Sequence, residues 1–344
     1  KGFPGGVSGG RRNKGGDRMK LVILERYALK DGDLDWSEIR ELADEVETYP
    51  RTAPDEVIPR LRGAQFAVAN KVNINEEVLR ACPDLQWVGM TSTGTDSLDL
   101  EACRRHGVLV ANVPGYSTPS VAQCAFALLL ELCMSPGRFD ASVRNGHWQT
   151  DIPADAGVFT PYELYGKMFG VLGYGAIGRA AASIAQAFGM RVLCHTRMVR
   201  DEWLGRGVEF VGLDELFRRS DVISLHCPLT EQTRGIVSRE RLALCRPGAR
   251  IVNTARGLLV DEQAVCDAHA SGAGRRGERG GSAPAGVAGG EPMRADTPLL
   301  AAPNTILTPH MAWTTQGALD RLTKAVAQNL RSFLAGRPEN IVNG

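Results

Sequence analysis

From Met19 onward, short apolar runs alternate with polar stretches whose apolar residues recur at helical spacing. Residues 21–24, 46–49, 66–69, 87–90 and 108–111 have strand length, and amphipathic stretches such as 36–43 and 98–105 lie between them. Strands alternating with helices predict a parallel sheet covered on its faces, a complete small α/β domain over residues 19–113. Gly115 and Pro119 then punctuate the chain. Residues 120–133 are too continuously apolar for a surface helix and should be buried between domains or between subunits.

The second half is organised around one turn. An apolar run at 169–172 meets Gly173, Gly175 and Gly178. Ile177, Ala181, Ile184 and Phe188 follow at helical spacing, and a second apolar run spans 192–194. Strand, glycine turn, helix and strand in a unit of this length form a dinucleotide-binding pattern. The first glycine permits the tight turn and the second lets backbone approach a pyrophosphate. The third lets the helix lie close on the strand, with the phosphate charge at the helix start, Ala176 and Ile177. The alternation resumes with strands at 222–225, 250–253 and 305–307, and residues 318–334 form a long amphipathic helix. Chain economy sends that helix back onto the first domain, making it discontinuous.

Composition narrows the function classes. Lys and Arg total 40 against 39 Asp and Glu, which leaves no electrostatic footprint for nucleic acid or an anionic membrane. No apolar run approaches the roughly 20 residues of a membrane span. The 8 cysteines are scattered through apolar segments without metal spacing and read as small core residues of a reduced, cytoplasmic protein, with no metal site. Residues 1–18 are rich in Gly and Arg and carry no hydrophobic period. Met19 is the expected true start, since 13–17 can be encoded by a ribosome-binding-type purine stretch; a natural disordered tail is the other reading.

Chemistry is expected at the carboxyl ends of the strands, where α/β sheets open their clefts. One strand runs into His226-Cys227-Pro228, another into Thr254-Ala255-Arg256-Gly257, and a third into Thr308-Pro309-His310. Arg256 offers a permanently charged planar fork suited to the carboxylate and carbonyl oxygens of an α-keto acid. His310 is a candidate acid, since an imidazole can protonate a carbonyl oxygen as hydride arrives at carbon. A carboxylate beside it would favour its protonated form, and Glu291 is the available partner. Spacing alone leaves a surface ion pair open for Arg256 and a structural role open for His310.

The stretches NVPGYSTPSVAQCAFALLLELC, VLGYGAIG, SDVISLHCPLTEQTRGIV, PGARIVNTARGLLVDE and EPMRADTPLLAAPNTILTPHMAWTT resemble, in that order, the D-isomer-specific 2-hydroxyacid dehydrogenases, in their glycerate dehydrogenase (hydroxypyruvate reductase) branch. The resemblance implies two doubly wound parallel-sheet domains. A flavodoxin-like substrate domain would be built from 19–113 and 314–344, and a Rossmann NAD(P)-binding domain from 114–313. It implies a catalytic set of Arg256, Glu291 and His310, and a homodimer built around the helix at 120–133. It places the backbone amides of Ser92, Thr93 and Gly94 on the substrate carboxylate and Asn70 and Lys71 in the pocket wall. The expected nucleotide set is Gly173, Gly175, Ala176, Ile177, Gly178, Thr196, Arg197, His226, Pro228, Thr254 and Ala255. His195 and His226 would be structural or adjacent to the cofactor. The reaction implied is the NAD(P)-dependent interconversion of hydroxypyruvate or glyoxylate with D-glycerate or glycolate; the alternative is a non-catalytic nucleotide sensor or an inactive member.

The chain departs from the family pattern in three places. The second strand of the nucleotide unit ends in Thr196, followed by Arg197 and Arg200, where NAD-specific relatives carry an Asp for the ribose hydroxyls. Loss of a carboxylate and gain of cations favours NADP(H) over NAD(H). Gln123 stands where many relatives have Glu, a feature of the glycerate branch. Residues 272–290 read GAGRRGERGGSAPAGVAGG, with Val287 the only branched aliphatic, where the family calls for a helix end and a short buried strand. That mixture is what GC-rich codons yield out of frame. A frameshift restored near Glu291 is the leading expectation and a natural flexible insertion the second, with the buried strand missing and the segment poorly ordered.

Overall fold

The computed structural model describes residues 18–146, 148, 161–270, 284–287, 294–302 and 304–344. The chain divides into two compact units, 1–117 with 314–344, and 118–313. In the first unit the elements run β1 (Lys20–Ile23), α1 (Ser37–Arg40), β2 (Glu45–Thr48), α2 (Val57–Leu61), β3 (Phe66–Ala69), α3 (Glu76–Ala81), β4 (Trp87–Met90), α4 (Leu100–Arg105) and β5 (Leu109–Ala111). The second unit contains α5 (Thr118–Met134), α6 (Pro136–Arg144), β6 (Met168–Leu172), α7 (Ala176–Ala187), β7 (Arg191–His195), β8 (Val208–Phe210), α8 (Leu213–Arg219), β9 (Val222–Leu225), α9 (Arg239–Leu244), β10 (Arg250–Asn253), α10 (Glu262–Ala270) and β11 (Pro284–Val287). The last helix, α11 (Gln316–Leu334), belongs to the first unit.

The first sheet has the order β2-β1-β3-β4-β5 with every pair parallel, the flavodoxin-like winding. Its central strands β3 and β4 are buried at every position, as strands covered on both faces must be. Against this unit α11 buries Leu319, Leu322, Val326 and Leu330 at helical spacing, and Phe333 meets Phe66 edge-on at 6.1 Å between ring centroids. Asn329 on the same helix donates its side-chain amide to the Asn112 carbonyl at 2.8 Å.

The second sheet is also parallel throughout, in the order β11-β10-β9-β6-β7-β8. Counted from β6 this is the Rossmann order, with strand order reversing about β6 and β9. Two segments differ from the expected strand pattern. Residues 305–307 form no strand. They follow Asn304, whose positive φ of 53° turns the backbone out of the extended region, and they precede Pro309, which lacks an N–H to give to a ladder. Ile306 and Leu307 are instead held by side-chain contact with the apolar clusters of the unit.

The sixth strand comes from the Gly/Ala/Arg/Pro segment expected to lack one. Residues Pro284 to Val287 pair in parallel with β10, Ile251 with Pro284 and Asn253 with Val287, with an irregularity between. A ladder is made by backbone groups and needs no branched side chains. Proline is tolerated at the first position of an edge strand, where its missing N–H breaks no bond. The remainder of 272–290, and the expectation that it is poorly ordered, lie outside the described residues, as do residues 1–17 and Glu291.

The face that α7 buries differs from the one its large apolar residues suggest. Gly178, Ala181, Ala182 and Ala185 are buried, whereas Ile177 and Ile184 are half-covered and Phe188 is exposed. Small residues let the helix axis come close to the sheet. Phe188 instead stacks on Phe126 of α5, which also stacks on Phe169 of β6, at 5.6 and 5.5 Å. The apolar α5 thus buries Ala125, Phe126, Leu128, Leu129 and Cys133 within its own unit.

Candidate active site

The glycine turn is built by close approach. Gly173 has φ +99°, and a Cβ there would lie 2.7 Å from the Cys227 nitrogen and 2.8 Å from the His226 carbonyl, so only glycine fits. A Cβ on Gly178 would sit 2.1 Å from the Gly173 oxygen, which brings the start of α7 down onto the turn. Beyond Gly175 lies open space, and as N-cap of α7 this residue contributes no side-chain cap. The first-turn amides of Ala176, Ile177 and Gly178 therefore face outward without intrahelical partners, a cradle suited to phosphate.

Neighbouring strand ends are tied to this turn. Gly173 donates its N–H to the His195 carbonyl at 2.9 Å, and His226 donates its N–H to the Leu172 carbonyl at 2.8 Å. The His195 Nδ1 meets the Val211 carbonyl at 3.1 Å. Next along β7, Thr196 is half-buried and Arg197 exposed. The guanidinium groups of Arg179 and Arg200 both lie over the Trp203 ring, 5.6 and 5.2 Å from its centroid. Arg179, directly after the third glycine, was not among the expected residues; its position one step past the glycine motif was the signal that could have found it. Its Nη1 also donates to the Tyr174 carbonyl at 3.2 Å.

At the end of β9, His226 keeps only a small exposed edge, its Nε2 meets the buried Ser224 hydroxyl at 2.8 Å, and burial pushes its pKa down to about 4. The imidazole is therefore neutral at physiological pH. The following Pro228 is held by Thr233, whose hydroxyl donates to its carbonyl at 2.7 Å and accepts from the Thr230 N–H at 2.7 Å.

At the end of β10, Asn253 is 1% exposed and its side chain bridges the next turn. It accepts from the Ala255 N–H at 3.0 Å and donates to the Arg256 carbonyl at 2.8 Å. Arg256 then presents an exposed guanidinium whose Nη1 donates to the Ala255 carbonyl at 3.1 Å. Beside it the Thr254 hydroxyl is buried without a hydrogen-bond partner, a donor left over for a ligand. His310 is exposed in an irregular segment rather than at a strand end, and its carbonyl accepts from Trp313 Nε1 at 2.9 Å. The sheet order thus brings the glycine turn, His195, His226 and Arg256 onto adjacent strand ends, and it does not place His310 on one.

In the first unit, Asn70 and Lys71 follow β3, and Ser92, Thr93 and Gly94 follow the adjacent β4. All three carbonyls of the second loop accept a hydrogen bond. That of Ser92 accepts from the Val113 N–H at 3.0 Å, that of Thr93 from Asn112 Nδ2 at 2.7 Å, and that of Gly94 from the Ser92 hydroxyl at 2.5 Å. Ser97 joins the two loops by donating to the Asn70 carbonyl at 2.8 Å. Glu25, at the end of β1 and absent from the expected set, accepts from the N–H groups of both Asn70 and Lys71 at 2.8 Å.

Residues 126–312 match the model of the D-isomer specific 2-hydroxyacid dehydrogenase NAD binding domain. The chain is 39% identical to a hydroxypyruvate reductase of Blautia hydrogenotrophica over 94% of its length and 100% of that relative. It is 33% identical to a glycerate dehydrogenase of Methylorubrum extorquens over 94% of its length and 98% of the relative. The crystal structure of the TT0316 protein from Thermus thermophilus superposes with a TM-score of 0.80 at 31% identity, over 94% of this chain and 100% of that one. The chain belongs to the D-isomer specific 2-hydroxyacid dehydrogenases. It is an oxidoreductase that interconverts a small 2-keto acid and its D-2-hydroxy acid with a nicotinamide dinucleotide. Among the described residues no single helix is long and apolar enough to cross a membrane.

Proposed function

We propose that this protein reduces hydroxypyruvate to D-glycerate, and glyoxylate to glycolate, with NADPH preferred over NADH. The observation that carries the reading is the loop Ser92-Thr93-Gly94, whose three carbonyls each already accept a hydrogen bond within the unit, while its N–H groups are the donors it presents. Successive backbone amides in one loop suit a carboxylate. The near full-length similarity to a hydroxypyruvate reductase supports the choice of substrate.

In this reading the unit of 19–113 with 314–344 holds the substrate and the unit of 114–313 the dinucleotide. The amides of Ser92, Thr93 and Gly94 hold the keto acid's carboxylate, and Asn70 and Lys71 line its pocket. Arg256, on a turn fixed by Asn253, orients the carboxylate and carbonyl oxygens and stabilises the charge that develops on the carbonyl oxygen. His310 donates a proton to that oxygen, and Glu291 is assigned to support it. The dinucleotide, when bound, supplies hydride. The first-turn amides of α7, the open face of Gly175 and the unpartnered Thr254 hydroxyl would hold it, with His226, Pro228 and Ala255 along its edge. Thr196 follows β7 in place of the Asp of NAD-specific relatives, and Arg197, Arg179 and Arg200, the last also meeting Glu202 across 3.7 Å, bring cations to the same strand end, which supports NADP(H). We place the enzyme in the cytoplasm as a homodimer built around α5.

The test is steady-state reduction followed at the nicotinamide absorbance with hydroxypyruvate, glyoxylate and pyruvate, in the wild type, Arg256→Ala and His310→Ala. Hydroxypyruvate should give the highest kcat/KM. Each variant should lose at least about 100-fold while binding NADPH within about twofold of the wild type, because the proposed contacts are to substrate. Near wild-type turnover in either variant would remove the catalytic assignment.

A further inference from the structure

The parallel ladder between β1 and β3 ends in an irregular way. Leu24 donates its N–H to the Val68 carbonyl at 3.0 Å, and the regular continuation would send the Asn70 N–H to the Leu24 carbonyl. That carbonyl accepts instead from the Thr52 hydroxyl at 2.6 Å. The Asn70 N–H turns to the side chain of Glu25, and one oxygen of this carboxylate, Oε2, takes the N–H groups of Asn70 and Lys71 together. The Asn70 carbonyl is held from the other side by Ser97. Glu25 is 7% exposed, and its other oxygen faces Arg51 across 3.7 Å.

Burying a carboxylate is unfavourable unless it is hydrogen-bonded or paired, and an apolar side chain would close the end of a core strand at less cost. Two backbone donors and one cation meet the requirement here, and both donors belong to the segment assigned to the pocket wall. We propose that Glu25 is a positioning residue for substrate binding: it replaces the sheet ladder at the carboxyl end of β1 and fixes the Asn70–Lys71 backbone, so that the two side chains project at a set height over the keto acid. The inference rests on the reading of Asn70 and Lys71 as substrate-lining. The two charge-assisted bonds let the chain leave the sheet and still be rigid, where an unsupported strand end would fray. Ser97 extends the same restraint to the carboxylate-binding loop that follows β4.

Glutamine at position 25 keeps an oxygen able to accept both N–H groups, whereas aspartate is one methylene too short to reach both. The full-length enzyme is compared as wild type, Glu25→Gln, Glu25→Asp and Lys71→Ala, recording kcat, the KM for hydroxypyruvate, the KM for NADPH and the melting temperature. Glu25→Asp should raise the hydroxypyruvate KM about tenfold with kcat within about twofold and the NADPH KM unchanged, the scale of losing one such bond. Glu25→Gln should stay within about threefold of the wild type, and Lys71→Ala should raise the same KM. If Lys71→Ala raises that KM and neither Glu25 variant does, the inference is overturned and the function stands. A fall in kcat at unchanged KM in both Glu25 variants, the signature of fewer folded molecules, also overturns it. If Lys71→Ala leaves the hydroxypyruvate KM at the wild-type value, the reading of the pocket wall fails and takes the role of Glu25 with it.

Discussion

Asn253 and Arg256 are joined through a side-chain clamp: the Asn253 amide donates to the Arg256 carbonyl at 2.8 Å while its oxygen receives the Ala255 N–H at 3.0 Å. The turn that carries the Arg256 guanidinium is therefore fixed from inside the sheet by a buried side chain. Asn253→Ala removes both bonds and leaves two backbone groups unpaired. Each is worth about 1 kcal/mol, so kcat/KM for hydroxypyruvate should fall roughly 10- to 30-fold. Dinucleotide affinity, measured by fluorescence titration, should change much less, and equal losses in both would show that the clamp does not serve Arg256.

The buried His226 makes stability depend on pH in a defined direction. Its pKa when folded is about 4 against 6.5 when unfolded, so between those values the unfolded chain binds the extra proton. Its contribution is fully present above about pH 6.5 and drains away as pH falls towards 4, by at most about 3 kcal/mol. His226→Gln should flatten that part of the curve. Urea midpoints of both proteins at pH 7.5 and pH 5 measure it, and an identical pH 5 loss in the two would contradict the assignment.

Cofactor preference should follow the cations beyond β7. NADPH should exceed NADH in kcat/KM by about tenfold or more, and Arg197→Ala should narrow the gap, since one guanidinium–phosphate contact is worth about that much. Arg179→Ala should narrow it as well, because its guanidinium shares the Trp203 ring with Arg200. Equal use of the two cofactors before and after both substitutions would remove the argument.

The strand β11 supports a stability prediction. Its sequence PAGV is poor in strand-forming residues, yet it closes the sheet against β10. Gly286→Val lowers the entropy of the unfolded chain and raises strand propensity, together worth about 1 kcal/mol, and should raise the melting temperature by roughly 2 °C. A clear decrease on calorimetry would mean that the position requires glycine.

Much of this fold was legible because its signals are local. The strands β1, β3, β4, β6 and β9 are apolar runs of the right length, and the glycine turn carries its constraint in the residues themselves, as the contacts of Gly173 and Gly178 show. What was not legible depends on partners distant in sequence. Residues 305–307 look like a strand and are not one, and Pro284–Val287 does not look like a strand and is one; pairing with β10, not composition, decides the second. Glu25 and Asn253 are ordinary polar residues at strand ends. Their roles appear only when the loop at Asn70, 45 positions away, or the turn at Arg256 is seen in place. Large apolar residues likewise misstated the buried face of α7, where small residues set the distance between helix and sheet.

Reduction of a 2-keto acid at its carbonyl to the D-hydroxy acid is read by resolving the enantiomers of glycerate formed from hydroxypyruvate with NADPH limiting. D-glycerate alone is expected, one molecule for each NADPH consumed. L-glycerate, a racemate, or no glycerate above the enzyme-free control would contradict it.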